Sequence, residues 1–386
     1  MTKARKPLTV LQIIPQLNMG GVERGTIDVA KYLKDNGYGS IVISSGGKLV
    51  YTLLKEKIPH IILPVHSKNP FTLWLNSFRI RRVIKNYHVD IVHARSRAPA
   101  WSAWLATRKT KVVFLTTFHG TYNFSNKLKK FYNSIMTKGQ KIIAPSTFIK
   151  NHIVTHYDGV TSKKITVIPR GVSLKTFNTL PLEAGRLKKL SEDYRLPLDK
   201  KIILLPGRIT RWKGHLNLLK ALTLLKNPQK FYCVFVGPSN KKNQGYYQEI
   251  ESFIQSNKLE LSVRILPATE DLVSLYKIAH VVVSASTDPE AFGRVMAEAG
   301  AVGRPIIASN HGGAQEIVLH DKTGWLYEPG NVEALAYYLE KALSLNIKEY
   351  KVMSKAAIEH IQQNFTNDLM LSRTLTLYKS LAGKTH

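Results

Sequence analysis

SASTDPEAFGRVMAEAGAVGRPIIASNHGGAQE, residues 284–316, follows the β-branched run 280–283 and divides into loop, helix, strand and turn. Polar residues and Pro289 end the run, a helical pattern covers 292–302, and Gly303 closes it. Glu290 stands just ahead of this helix. The amides near Phe292, Gly293 and Arg294 fall in its first turn, where N–H groups lack intrahelical partners and attract a phosphate. Glu298 lies eight residues beyond Glu290 and inside the helix, so the two carboxylates can bracket a ligand at different depths. The same spacing also fits a solvated helix face. A second buried strand at 305–308 leads to Gly312-Gly313 and a further helix from Ala314, which places a second backbone-lined turn at the same crevice.

As a whole string, this segment resembles the retaining, nucleotide-sugar-dependent glycosyltransferases of family 4. These have the GT-B fold and carry two glutamates with seven residues between them. The resemblance implies that Glu290 holds hydroxyls of the donor sugar and Glu298 those of the ribose. It sets Phe292, Gly293, Arg294 and Val295 against the diphosphate and sugar. Ala291 departs from the pattern, which usually has glycine there, and makes the loop slightly stiffer.

Upstream, the apolar strand 201–205 runs into PGRITRWKG at 206–214. Arg208 and Lys213 flank a turn before a helix, a natural cradle for a diphosphate, although surface cations are often only solvated. The string resembles the family's Arg-and-Lys diphosphate site, which implies charge neutralisation without a metal. No Asp-x-Asp triplet of the kind used by metal-dependent transferases occurs. No cofactor is expected beyond the donor substrate, GDP- or UDP-linked. Strands at 231–236 and 263–266 follow, and in the family this edge meets the base through backbone groups, so side chains do not encode the base.

The first half repeats the strand, turn and helix pattern. A strand at 8–14 is followed by QLNMGGVERG at 16–25 and an amphipathic helix expected over 26–36. A dinucleotide fold would need G-x-G-x-x-G and a carboxylate after the second strand. Asn18 takes the first glycine's place, and the strand 40–44 ends in Ser45-Gly46-Gly47. Gly20 and Gly21 resemble the glycine turn with which the family's first domain approaches the donor. A strand at 112–118 ends in His119, at the edge where parallel sheets bind ligands. The resemblance makes His119 a catalytic candidate beside the donor sugar, with Glu290; as a lone histidine it also reads as a hydrogen-bonded loop residue.

Residues 123–141 place Phe124, Leu128, Phe131 and Ile135 at helical spacing, with Ser125 as a fair N-cap and Lys127, Lys129, Lys130 and Lys138 nearby. This reads either as an amphipathic helix lying on an anionic bilayer or as a helix packed on its own domain. Arg79, Arg81, Arg82, Lys85 and the acid-free span 91–157 favour the first. Trp101 and Trp104 fit either that face or the core. IPRGVSLKTF at 168–177 resembles the family's linker entry, except that Arg170 replaces its Asn and Ser173 its Asp. Arg170 is therefore an acceptor candidate for an anionic group.

The formal charge is +30, and residues 1–178 hold 29 Lys and Arg against six Asp and Glu, a net +23. A single cysteine, Cys233, excludes a disulfide framework and a cysteine-based metal site. No signal peptide is read, and no run nears the ~18 apolar residues of a membrane span. These features predict an α/β protein of GT-B type with two doubly wound Rossmann-like domains facing a cleft. The expected divisions are an acceptor-side domain at 1–178, a linker at 179–200, a nucleotide-sugar domain at 201–365, and a helix at 366–386 that returns to the first domain.

The expected activity is hexosyl transfer, of mannose or glucose type, with retention carried over from the family. The acceptor is an anionic glycolipid such as a lipopolysaccharide core, with a phospholipid, undecaprenyl-linked or capsule acceptor as the alternative. Cytoplasmic residence on the inner face of an inner membrane follows from that reading. A basic nucleic-acid-binding protein is the non-enzyme alternative. No nucleic-acid module is present, so no specific nucleic acid is expected.

Overall fold

The computed structural model describes residues 7–18, 20–122, 124–239 and 243–383. Met19 and Asn123, each inside a stretch considered above, lie outside them. The chain forms two compact units, residues 1–170 with 368–386, and residues 171–367.

In unit 1 the elements run β1 Thr9–Ile13, α1 Gly21–Asp35, β2 Gly39–Ser44, α2 Val50–Lys55, β3 His60–Ile62, α3 Pro70–Asn86 and β4 Ile91–Ala94. They continue with α4 Arg97–Thr107, β5 Val113–Thr117, α5 Lys127–Ser134, β6 Lys141–Ala144, α6 Thr147–His156 and β7 Ile165–Val167. The seven strands are parallel, in the order β3-β2-β1-β4-β5-β6-β7. The order reverses beside β1. Right-handed crossovers therefore place α1 and α2 on one face of the sheet and α3, α4, α5 and α6 on the other.

Unit 2 runs α7 Ala184–Tyr194, β8 Lys201–Pro206, α8 His215–Thr223, β9 Phe231–Val236, α9 Gln244–Ser256, β10 Val263–Leu266 and α10 Leu272–Ile278. It continues with β11 Val281–Ser284, α11 Arg294–Ala301, β12 Ile306–Ser309, α12 Ala314–Ile317, β13 Gly324–Tyr327, α13 Val332–Ser344 and α14 Ile347–Asn364. Its parallel sheet is ordered β10-β9-β8-β11-β12-β13. Both faces of β9, FYCVFV, are buried, which is why it reads as an unbroken apolar run. The last helix, α15 Asn367–Ala382, belongs to unit 1 from Asp368 onward, where Leu371, Leu375 and Tyr378 pack with Val29 and Leu33 of α1.

Several boundaries differ from the sequence reading. Helix α1 starts at Gly21, five residues before the expected 26. Glycine costs little in a first turn whose N–H groups are unpaired anyway. Helix α5 is capped by Asn126, whose side chain accepts from the Lys129 N–H, rather than by Ser125. It ends at Ser134, and a 3₁₀ turn carries Ile135 into the core, off the expected surface stripe. Residues 179–200 fold inside unit 2. Leu190 and Leu196, on and just after α7, are buried with Ile202 and Tyr276.

Candidate active site

In unit 2, three loops at the carboxyl ends of adjacent strands are stitched together. The loop after β8 carries Arg208 and a 3₁₀ turn over Arg211–Lys213, then Gly214 in the left-handed region with φ 72°. A Cβ at Gly214 would lie 1.9 Å from the Ala285 carbonyl oxygen, so this glycine lets the β8 loop touch the β11 loop. The Thr287 N–H donates to the Trp212 carbonyl at 2.7 Å across the same junction. The third loop, after β12, brings Gly312 and Gly313 onto the backbone of residues 290–292. The Gly313 N–H donates to the Glu290 carbonyl at 2.8 Å, and a Cβ at Gly313 would sit 2.1 Å from the Phe292 oxygen.

These contacts fix Glu290. Its Oε1 lies 2.6 Å from Lys213 Nζ and also accepts from the hydroxyls of Ser286 at 2.9 Å and Ser284 at 3.3 Å. Burial alone would raise the pKa of this carboxyl. The ammonium of Lys213 and the three donated hydrogen bonds outweigh that and hold it below the usual carboxylate range. Lys213 also stacks over the Trp212 ring at 4.4 Å. Arg208 is exposed and makes no ion pair among the described residues. It is the cation of this pair that can swing onto a ligand.

Helix α11 begins at Gly293, whose φ of 103° few other residues adopt, with no side-chain cap. The first-turn N–H groups of Arg294 and Val295 point out of an uncapped helix end. The Phe292 side chain faces inward against Phe365, ring centroids 5.8 Å apart, so only its backbone is available to a ligand. Glu298, one turn on, is buried. Its Oε1 lies 3.0 Å from Arg294 Nε, and its Oε2 accepts from the Tyr276 hydroxyl at 2.8 Å. Burial, then the Glu298 charge, pushes the Tyr276 phenol well up, so it stays a donor.

Tyr276 was not legible beforehand, because a tyrosine in an apolar helix carries no mark of its partner. The same holds for His215, fully buried at the start of α8 against Phe235. Burial, with Lys213 beside it, brings its pKa down to about 3, so it adds no charge to the cradle.

In unit 1, His119 follows β5. Its Nδ1 accepts from Arg170 Nη2 at 3.2 Å, and its buried Nε2 has no partner among the described residues. Burial first, then the charges of Arg170, Arg95 and His93, drives its pKa well below the usual histidine value. The ring is neutral, and because arginine only donates, its proton is assigned to Nε2. Arg170, expected to meet an anionic acceptor, thus also holds His119.

Gly20 caps α1 in an extended conformation, and Gly21 is its first residue. The loop after β2 closes on this turn, since a Cβ at Gly47 would meet the Leu17 backbone at 2.5 Å. Behind them lies a polar layer that sequence reading missed. His93 is bonded to the hydroxyls of Tyr378 and Thr117, both at 2.6 Å, and Arg95 donates to Gln12. Lys127, Lys129 and Lys130 are exposed on α5, beside Leu128 and Phe131 at 80% and 65% exposure. Trp101 lies beneath that helix, donating to the Tyr132 carbonyl at 3.2 Å.

Comparison with known proteins gives this arrangement its family. A model described as Glycosyltransferase Family 4 matches residues 19–176, and one described as Glycosyl transferases group 1 matches residues 188–360. The crystal structure of a glycosyltransferase from Rickettsia africae ESF-5 is 45% identical, with a TM-score of 0.90 and coverage of 97% of this chain and 98% of that one. Anabaena Alr3699/HepE in complex with UDP shares the fold at 21% identity, with a TM-score of 0.85 and coverage of 97% and 100%. A lipopolysaccharide 1,2-N-acetylglucosaminetransferase of Salmonella typhimurium is 26% identical over 242 residues, 59% of this chain and 61% of that protein. The chain belongs to the family 4 glycosyltransferases and has their GT-B fold of two Rossmann-like units.

Proposed function

We infer that the protein moves a hexose, of mannose or glucose type, from a GDP- or UDP-linked sugar to an anionic, membrane-associated glycolipid such as a lipopolysaccharide core, with retention at the anomeric carbon. The observation that carries the donor half of this reading is the cradle of Arg208, Lys213 and the uncapped start of α11 around one partly buried carboxylate. Anabaena HepE, which binds UDP, and the Salmonella lipopolysaccharide transferase support the donor type and the acceptor class.

In mechanism, Arg208, Lys213 and the amides of Gly293, Arg294 and Val295 neutralise the departing diphosphate without a metal, electrostatic stabilisation aimed where charge develops. Lys213 has a second duty, because it anchors Glu290 on the sugar hydroxyls. Glu298, steadied by Tyr276 and Arg294, takes the ribose. His119 donates a hydrogen bond from its Nε2–H to the sugar. The acceptor hydroxyl attacks from the leaving-group face, its proton passing to the departing diphosphate oxygen as the sugar–diphosphate bond breaks, so no side-chain nucleophile is needed. On the acceptor side, Arg170 and the exposed lysines of α5 meet phosphates of the glycolipid and of the cytoplasmic leaflet.

The test is thermal stabilisation by UDP, GDP, ADP, their sugar conjugates and NAD, each with and without EDTA. A ligand at ~100 times its dissociation constant adds about 2.7 kcal/mol of stability. One nucleoside diphosphate should stabilise the protein regardless of EDTA. Arg208→Ala should abolish the shift with the unliganded melting point unchanged, since Arg208 is exposed and unpaired. Lys213→Ala is a poorer probe, because it strands the partly buried Glu290 and lowers the stability of the unliganded protein as well. Absence of a shift with every nucleotide would refute the donor site.

A further inference from the structure

The outer face of α3 carries a single stripe at positions 71, 74, 78, 82 and 85, successive steps of three or four residues. Its first three members are aromatic and lie in water. Phe71 is 68% exposed, Trp74 51% and Phe78 48%. Their rings form a ladder, 6.0 Å between Phe71 and Trp74 and 4.7 Å edge-on between Trp74 and Phe78. The last two, Arg82 and Lys85, are exposed cations. The opposite face, with Leu73, Ile80, Val83 and Ile84, is buried. The aromatic stripe is therefore surplus to the core.

Charge is divided between the two faces of the unit 1 sheet. Helices α3, α4, α5 and α6 contain no Asp or Glu, whereas α1 alone contains Glu23, Asp28 and Asp35. Between residues 57 and 157 the sole carboxylate is Asp90, and it is turned onto the Thr9 N–H at 2.7 Å. α3 abuts α4, with Arg81 donating to the Leu105 and Ala106 carbonyls, and Trp101 of α4 packs under Phe131 of α5. The α3 stripe and the exposed Leu128 and Phe131 of α5 thus belong to one continuous helical layer whose helices carry no negative side chain; the one carboxylate at its edge, Asp158 just after α6, lies 3.5 Å from Lys130 Nζ of α5.

We propose that this layer is the membrane-apposed face of the protein, with Phe71, Trp74 and Phe78 seated at the headgroup level of an anionic bilayer and Arg82 and Lys85 on its phosphates. Aromatic rings favour that boundary, and basic side chains keep their charge at the lipid surface while their stems lie along it. A second copy of the chain fits the stripe less well, because Arg82 and Lys85 would meet their own kind with no carboxylate on α3 or α4 to separate them. The inference extends the membrane contact proposed above to an element that contact did not include.

The full-length protein is tested by partition onto vesicles of phosphatidylglycerol and phosphatidylcholine, the phosphatidylcholine brominated at the acyl 6,7 positions in one arm. Bromolipid should quench the wild type more than Trp74→Phe. The triple variant F71S/W74S/F78S should partition at least tenfold more weakly, with circular dichroism showing that it remains folded. R82Q/K85Q should lose about fivefold per cation at low salt and little at high salt. Unchanged partition of both variants, equal quenching of wild type and Trp74→Phe, or self-association lost in the triple variant would each overturn the proposal. If K127Q/K129Q/K130Q alone loses vesicle binding, α3 is wrong and membrane contact stands. Nucleotide stabilisation, read in the absence of lipid, reports on the transferase reading separately.

Discussion

His119 is the side chain whose protonation the structure decides and the sequence did not. The string around it marked a histidine at a ligand-binding edge. What makes it a defined donor is Arg170, 51 residues away in the chain, lying on its Nδ1. Burial and three nearby basic groups depress the His119 pKa, so the ring stays neutral as pH falls through the ordinary histidine value of 6.5. Nitrogen chemical shifts of ¹⁵N-histidine-labelled protein should show the Nε2–H form for His119, unchanged from pH 8 to pH 6. Arg170→Gln, whose amide can still donate, should preserve that signature, whereas Arg170→Leu should mix the two neutral forms. An Nδ1–H signal in the wild type would mean that the Arg170 contact does not set the ring.

Loops at strand ends were placed well by sequence because glycine and proline punctuate them; the contacts between loops were not, because they join residues some 20 to 75 apart. Gly313 shows the difference. Its turn was foreseen, but only the structure shows its backbone against residues 290–292, where a methyl group would come within 2.1 Å of the Phe292 oxygen. Its φ of −69° is ordinary, so the constraint is steric alone. Gly313→Ala should lower stability by about 1–3 kcal/mol, an overpacking cost. It should also weaken nucleotide stabilisation, because the displaced loop carries Glu290. Gly185→Ala, in α7 with nothing within 4 Å, should instead raise the melting point by a gain of about 0.5–1 kcal/mol. Equal behaviour of the two variants would show that the turn has room to yield. Helix α7 also explains a misplaced boundary: its charged sequence reads as linker, and only the burial of Leu190 and Leu196 makes it part of a unit.

The chain's excess charge is confined mostly to one unit, and this has consequences for how the molecule melts. Unit 1, residues 1–170 and 368–386, holds 31 Lys and Arg against seven Asp and Glu, while unit 2 holds 25 against 19. Counting by folded unit sharpens the asymmetry seen along the sequence, because the returning α15 and the 171–200 segment change sides. A net +24 within 189 residues repels itself, and the compact state suffers more than an expanded one. Salt screens exposed charges over about 10 Å at 0.1 M and 3 Å at 1 M. Raising sodium chloride from about 20 mM to about 500 mM, the range where screening falls within the unit's own dimensions, should therefore raise the unit 1 transition in calorimetry by several degrees and move that of unit 2 little. The transitions are assigned by two handles. On the proposed donor site UDP or GDP should raise that of unit 2, and Tyr378→Phe, which removes the hydroxyl bonded to buried His93, should lower that of unit 1 through a loss of about 1–3 kcal/mol. A unit 1 transition that falls with salt would mean that local ion pairs, such as Lys31 with Glu56 at 2.7 Å, outweigh the net repulsion. The basic face would then be stable without an anionic surface to cover it, rather than being stabilised by one.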